Sequence, residues 1–435
     1  MKAAMNLAEQ LNLSCACRTL DATRLHQSLP TSLADSHPHL FSETAVFIDM
    51  PTRNAIAQAV ATLERVTCLP GYRQAVVERA HGTDTLAPDF GPSGVFMGYD
   101  FHLGADGPRL IEINTNAGGA LLSAALAGAQ NTCCAAMEQW LGRADLTQAF
   151  IDMFRAEWRA QRGVQSWRTA VVVDDDPQQQ YLAPEFELVR RLFEHHGVRA
   201  IVADPRELQW RDGALWHPAL PADLPIDMVY NRLTDFDLSE SSHAALRSAY
   251  QVGAVVLTPH PRAHAMHADK RNLIWLGDDV QMARWGAGEA DRAVLRAVVP
   301  AAQAVLPANA EVLWRERRQW FFKPMAGYGG KAAYRGDKLT RKTWEHITAG
   351  GFVAQALVPP SERMVTVDDV PMRLKVDMRA YAYRGRVLLL AARTYAGQTT
   401  NLRTPGGGFA PVLVLPFGDA AQANDSSITV QKMLA

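Results

Sequence analysis

The sequence predicts a mixed fold, α/β through its middle and α+β toward its end. Three observations carry that reading. The segment 169–202 runs from a buried apolar stretch through an amphipathic helix to a second apolar stretch, the pattern of parallel strands joined by a crossover. The segment 98–114 reads as a β-hairpin with its polar residues gathered at one end. From about Asp269 onward, short strands, a glycine-rich loop and a second hairpin follow one another without βαβ periodicity.

The elements follow in chain order. Residues 1–90 are expected to form a helical segment. Ile56, Val60 and Leu63 recur at helical spacing after the start signal Pro51-Thr52. Residues 91–166 carry the hairpin and the helices after it. Positions 101–103 and 109–113 alternate apolar with polar, and Ala-Asp-Gly-Pro at 105–108 makes the turn. Asp100 starts one strand, while Glu112 and Asn114 end the other and share a face. The stretch from Gly118 to about Ala160 is Ala-rich and helical.

Residues 167–266 form the parallel-sheet unit. Its strands are expected at 169–173, 198–202, 227–230 and 254–257, with a helix at 185–196 that stops at Gly197. Ligands of such sheets lie beyond the carboxyl ends of the strands. The run Asp174-Asp175-Asp176 and the pair Asn231-Arg232 both fall there. The acidic run reads first as a solvated loop; were it instead to face the pocket with Arg232, it would suit a cationic amine substrate. Arg232, directly after a buried strand, is the better ligand candidate. Residues 267–415 hold strands at 320–324, 332–335 and 351–357, and a hairpin of 378–383 with 386–393. Residues 416–435 are expected to be a flexible tail.

Composition narrows the partners. A chain of 435 residues, 48% hydrophobic and 20% charged, has room for two to three lobes with sizeable cores. Its net charge of −1 supplies no bulk field for nucleic acid or a membrane surface. An anionic ligand must therefore be met by local Lys and Arg. Five cysteines, two of them vicinal, do not suggest a disulfide framework, and ordinary free thiols are expected. Without a secretory signal or a long apolar run, a cytoplasmic protein is expected.

The chemistry gathers in a few places. Asp100, Glu112 and Asn114 offer only hard oxygen donors, which suits Mg²⁺ shared with a nucleotide phosphate. Alone, they read equally well as a polar hairpin rim. The stretch 322–331, Phe-Lys-Pro-Met-Ala-Gly-Tyr-Gly-Gly-Lys, is the second signal. Backbone N–H groups of a glycine loop can close over phosphate oxygens, and Lys323 can reach them as a point charge. Lys270 opens a helix against its dipole, which hints at a nearby anion, although taken by itself it reads first as a solvent-facing lysine. The strand 352–357 leaves into Val-Pro-Pro, where exposed backbone can read an adenine edge beside Gln355. Arg379, Arg393, Asn401 and Arg403 suit a carboxylate and a transferring phosphoryl group. Arg384 and Arg386 read as surface ion pairs.

Together these residues resemble the ATP-grasp superfamily. The match runs Lys270, Lys323-Pro with Gly327, Gly329 and Gly330, then Gln355, Asp377-x-Arg379, Arg393 and Asn401, over 267–413. In ordinary members the Asp…Glu-x-Asn hairpin follows this block; here it precedes it. That order resembles the circularly permuted branch, which includes eukaryotic-type glutathione synthetase and the synthetase half of glutathionylspermidine synthase. The resemblance implies a permuted ATP-grasp fold with a Rossmann-like pre-ATP-grasp domain at 167–266. It implies an ATP-dependent ligase that joins a small-molecule carboxylate to an amine through an acyl phosphate, like glutathionylspermidine synthase.

The implied cofactors are ATP and Mg²⁺, as two ions, with Asp100, Glu112 and Asn114 as metal ligands. Lys270, Lys323, Gln355 and the glycine loop would hold the nucleotide. Arg379, Arg393 and Asn401 would serve catalysis, and Arg232 and Arg403 would bind substrate. No nucleic acid or membrane is implied, and a homodimer is compatible. Two alternatives stand beside this reading: an ATP-grasp small-molecule kinase, and a non-catalytic nucleotide-binding protein. The chain departs from both permuted types. Its glycine loop lacks the metal-binding Glu of the first, and Gly98 stands where the second has an Arg.

Overall fold

The computed structural model describes residues 5–15, 17–29, 37, 39–80, 84–86, 88–131, 146–325 and 332–415. Its centre is a seven-stranded sheet. Met97–Gly104 and Gly107–Asn114 form the acidic hairpin, with Ala105-Asp106 as its tight turn. The hairpin pairs antiparallel with Val370–Tyr383, placing Asp100 directly opposite Arg379. Arg386–Tyr395 follows on the other side, then Gly408–Leu415, and Val46–Asp49 closes the order as a parallel partner of that last strand. Ser361–Val367 pairs with Val370–Tyr383 off this path.

Strands from within residues 46–114 and from beyond residue 360 thus build one sheet. Three of them depart from the sequence reading, one being Ser361–Val367, which falls between the expected strand 351–357 and the expected hairpin. Val46–Asp49 lies in a segment expected to be helical. Four consecutive buried residues running straight into a helix leave no alternation to read. Gly408–Leu415 lay unread before the expected tail, and 416–435 falls outside the described residues.

Helices cover both faces of this sheet. Met50–Thr67 is capped by Asp49, whose carboxylate accepts from Thr52 N–H, and has Pro near its start. It buries Ile56, Val60 and Leu63 against Tyr99, Met378 and Ala380. On the other face, Leu146–Arg162 and Ala183–His195 pack Phe150, Phe154 and Phe193 beneath Tyr381. Glu157, fully buried, is satisfied by four donors: Ser93 N–H, Gly94 N–H, the Thr258 hydroxyl and the Tyr383 hydroxyl. A buried carboxylate is tolerable only when bonded this fully.

Two further sheets stand against the central one. Thr169–Val173, Arg199–Ala203, Met228–Asn231 and Val256–Thr258 form a four-stranded parallel sheet within a residue or two of the expected positions. Ala302–Ala304, Trp320–Pro324, Tyr334–Arg335 and Phe352–Ala356 form a small antiparallel sheet. Cys15 and Cys68 carry free thiols, while Cys133 and Cys134 lie outside the described residues. Among the described residues, no helix is long and apolar enough to cross a membrane.

Candidate active site

The site is built on the hairpin. Its two strands run in register to Asp100↔Glu112, and the next pair is Phe101↔Leu110. Ile111 is therefore an extra residue, a bulge on the outermost strand. Bulging frees backbone groups, and two side chains from the small sheet take them. Lys323 Nζ donates to the Ile111 carbonyl at 2.7 Å, and Gln355 Nε2 donates to the Leu110 carbonyl at 3.1 Å. Lys323 Nζ also donates to Gln355 Oε1 at 2.8 Å, so the two form one clamp across the joint between the sheets.

Charge pairs cross the central sheet in the next rows. Asp100 faces Arg379, and Asp377 faces Arg393, as direct cross-strand partners. Arg379 grips Asp100 with Nε and Nη2, both at 2.6 Å. Arg393 Nη2 reaches Asp100 at 2.8 Å and its Nε reaches Asp377 at 2.7 Å. The four side chains are largely buried and their charges sum to zero. Burial favours the neutral carboxyl of Asp100, but the two guanidiniums outweigh it and hold the group well below its usual range. Glu112 behaves alike: burial raises it, and the charges of Lys270 and Lys323 more than offset that. Lys323 is pushed down to about 8, chiefly by burial, with Lys270 adding to the effect and Glu112 opposing it.

Asp100, Glu112 and Asn114 converge as expected. Asn114 Nδ2 donates to Asp100 Oδ2 at 3.1 Å and to Glu112 Oε1 at 3.2 Å. Among the described residues, no three His, Cys, Asp or Glu are grouped so as to hold a metal ion. A cation here would need the Asn114 amide oxygen to complete the set. The donors fit a hard divalent ion once the Asn114 amide turns its oxygen, in place of Nδ2, toward the two carboxylates, and Glu112 faces two cations that favour its ionised form. Asp100 Oδ2 already accepts from Arg379, Arg393 and Asn114, so its Oδ1, bonded among the described residues to Arg379 Nε alone, is the more available oxygen.

All of this opens on a cavity of about 520 Å³. Lys270, Lys323, Gln355 and the segment 356–360 line one part of it; Asn116, Gly118, Asp174, Tyr181 and Arg232 line another. Arg232 Nη1 donates to the Asn116 carbonyl at 2.5 Å, while its buried Nε has no hydrogen-bond partner among the described residues. Gly118 is needed beside it: a Cβ there would stand 2.8 Å from Arg232 Nη2 and 2.5 Å from Leu182 Cδ1. Gly119, at φ +95°, then turns the chain into the helix Ala120–Gly128. Glu185 accepts from the Gly119 and Leu121 N–H groups at its start.

Several sequence expectations change. Gln355 is almost fully buried and tied to Lys323, so it supports the site rather than facing a ligand freely. Asn401 and Arg403 are exposed and outside the cavity lining. Asn401 Oδ1 accepts from Arg403 N–H, a local turn that its residue type favours, and Thr400 beside it bonds Asp377 instead. Arg403 stacks over Tyr181 at 4.8 Å. The acidic run is not uniformly solvated: Asp174 is buried in the cavity wall, while Asp176 is exposed. Gly327, Gly329 and Gly330 lie outside the described residues. His102 was missed. Its Nδ1 lies 2.7 Å from the Val358 carbonyl, and burial holds the ring below its ordinary value. Nothing but its place in the hairpin could have flagged it.

No family model matches the chain, and no curated protein matches it. Among solved structures, a glutathione synthetase-like effector from Globodera pallida in apo form aligns with TM-score 0.53 and 9% identity, covering 90% of this chain and 96% of its own. A protein described as a gamma-glutamylcysteine synthetase, from Methylobacillus flagellatus KT, aligns with TM-score 0.45 and 8% identity over 80% of this chain and 84% of its own. The ATP-grasp ligase PsnB, with a precursor variant, Mg and ADP, aligns with TM-score 0.29 and 16% identity over 57% and 89%. The first of these extends over nearly the whole of both chains. The mixed α/β fold of this protein is that of the glutathione synthetase-like effector.

Proposed function

We propose that the protein is an ATP- and Mg²⁺-dependent carboxylate–amine ligase of the permuted ATP-grasp type, forming an amide through an acyl phosphate. One observation carries the reading. Lys323, on the small sheet, bonds the bulge of an acidic hairpin that lies more than 200 residues earlier and beside Glu112. A buried, depressed lysine next to carboxylates that could share a cation is what a polyphosphate would satisfy. The fold likeness to a glutathione synthetase-like protein supports the same class. A substrate like that of glutathionylspermidine synthase is the finer form of the proposal, with Arg232 at the substrate end.

The chain's own groups divide the work. Lys270 and Lys323 neutralise the nucleotide phosphates, and the 356–360 segment borders the base. Gln355 fixes the Lys323 ammonium. Glu112, Asn114 and Asp100 would hold Mg²⁺, which supplies further charge neutralisation at the phosphate oxygens when bound. Arg379 and Arg393 are held in place by Asp100 and Asp377. They orient the substrate carboxylate and spread the charge of the transferring phosphoryl group. The carboxylate attacks the γ-phosphate and ADP leaves as the bond from the γ-phosphorus to the bridging oxygen breaks; an amine then displaces phosphate from the acyl carbon.

An ADP-release screen of carboxylates against amines, with mass spectrometry of the hits, tests the reading. The expected result is ADP and phosphate in equal amounts with an amide product. A stable phosphorylated product would indicate a kinase instead, and no Mg²⁺-dependent turnover with any pair would refute both.

A further inference from the structure

The proposed reaction leaves one proton unassigned. An alkyl amine meets the site near neutral pH as its ammonium, which has no lone pair with which to attack. We propose that Asp174 is the general base that takes this proton, an assignment that rests on the ligase reading above.

The geometry singles Asp174 out. It follows Thr169–Val173, at the carboxyl end of the parallel sheet, and lines the same cavity as Glu112, Lys323 and Arg379. The structure divides the acidic run by tying off its other members. Asp175 meets Nε2 of the fully buried His243 at 3.0 Å, and Asp235 holds the Nδ1 of that ring at 2.7 Å. Asp176 pairs with Arg206, which also binds Asp204. Asp174 alone is buried against the cavity. Its Oδ1 accepts from Asp175 N–H at 2.9 Å, the one side-chain hydrogen bond that reaches it among the described residues. Its Oδ2 is left for a ligand.

The electrostatics agree with that geometry. Burial raises the Asp174 carboxyl most, Asp175 and Asp204 add to the rise, and Arg232 with the Asp175 N–H opposes it. The balance leaves the group at about 7. A base works best when its affinity for protons lies near the working pH.

The step balances without a further reactant. The ammonium gives one N–H proton to Asp174. The freed lone pair forms the C–N bond at the acyl carbon, and the C–O bond to the phosphoryl group breaks. The second N–H proton leaves with phosphate as hydrogen phosphate. Asp174 then returns its proton to water.

The test compares the wild type with Asp174→Asn, using glutathione and the proteinogenic amino acids as carboxylates. Hydroxylamine is one amine probe; glycine, ethylamine and 1,4-diaminobutane are the others. Hydroxylamine is largely unprotonated at neutral pH, so it traps an acyl phosphate without needing a base. The expected result is hydroxamate formation within about twofold of wild type and alkylamide formation reduced by about 10²- to 10³-fold. The limb of kcat/KM that rises through about pH 7 should appear in the wild type with alkylamines and vanish in the variant. A wild type that makes no hydroxamate refutes the ligase reading itself. Equal loss of both products in the variant overturns the role of Asp174 and leaves that reading standing. So does a wild type that makes hydroxamate but no alkylamide. If Asp174→Asn does not fold, the wild-type pH profiles decide: identical limbs for hydroxylamine and alkylamines overturn the proposal.

Discussion

ATP binding should draw protons onto Lys323, and the amount can be worked from its surroundings. Burial lowers this lysine from 10.5 to about 8, so near pH 8 half of the ligand-free molecules carry it uncharged. A phosphate beside Nζ favours the charged form and returns the group toward its ordinary value. Binding then takes up about 0.5 proton per ATP at pH 8 and about 0.9 at pH 9, by linkage. Titration calorimetry in buffers of differing ionisation enthalpy reads this number directly. Lys323→Met removes the titrating group, so its uptake should stay near zero across the range. A companion effect appears in stability. The folded value lies below the unfolded one, so the ligand-free protein gains stability as pH rises from about 8 to 10.5. The total gain is on the order of 3 kcal/mol, and Lys323→Met should flatten that slope. Equal uptake by the wild type and Lys323→Met at pH 9 would refute the phosphate role of this lysine.

Three other outcomes follow from the same geometry. Glu112→Gln should abolish Mg²⁺-dependent turnover while circular dichroism shows an intact fold; an active variant would remove the metal assignment. Glu157→Ala leaves four donors unpaired, Gly94 N–H and the Thr258 hydroxyl buried, Ser93 N–H and the Tyr383 hydroxyl half-buried. It should cost about 3–5 kcal/mol in denaturant unfolding, and a loss under 1 kcal/mol would contradict the packing described. Gly118→Ala must displace Arg232 or Leu182, an overpacking of about 1–3 kcal/mol. It should raise the KM of the substrate that Arg232 contacts and leave ATP affinity unchanged by calorimetry; the reverse pattern would place Arg232 at the nucleotide end.

The sequence carried the hairpin, the parallel strands and the lysine strand because each has a local signature. Alternation marked the hairpin, apolar runs with a crossover marked the parallel sheet, and Pro324 with the glycines marked the end of a strand. What escaped depends on partners distant in the chain. The bulge at Ile111 is legible only once Asp100 is paired with Glu112. Gln355 looks like a free ligand until Lys323 and the Leu110 carbonyl are seen to engage it. Asn401 carries the side chain of a site residue and of a turn residue alike, and the turn took it. The three aspartates at 174–176 are chemically identical in the sequence. Only the placement of His243, Arg206 and the cavity sets them apart.

The order of strands in the central sheet also sets a timetable for synthesis. The hairpin Met97–Asn114 leaves the ribosome 250 residues or more before Val370–Tyr383, the strand that flanks it and supplies Arg379. At ordinary elongation rates the wait is on the order of tens of seconds. Throughout it, Asp100 has no guanidinium to neutralise it, and an edge rich in Tyr99 and Phe101 stands open to any passing strand. A chain stalled before residue 370 should therefore bind chaperones persistently, and nascent molecules should become resistant to protease in a single late step.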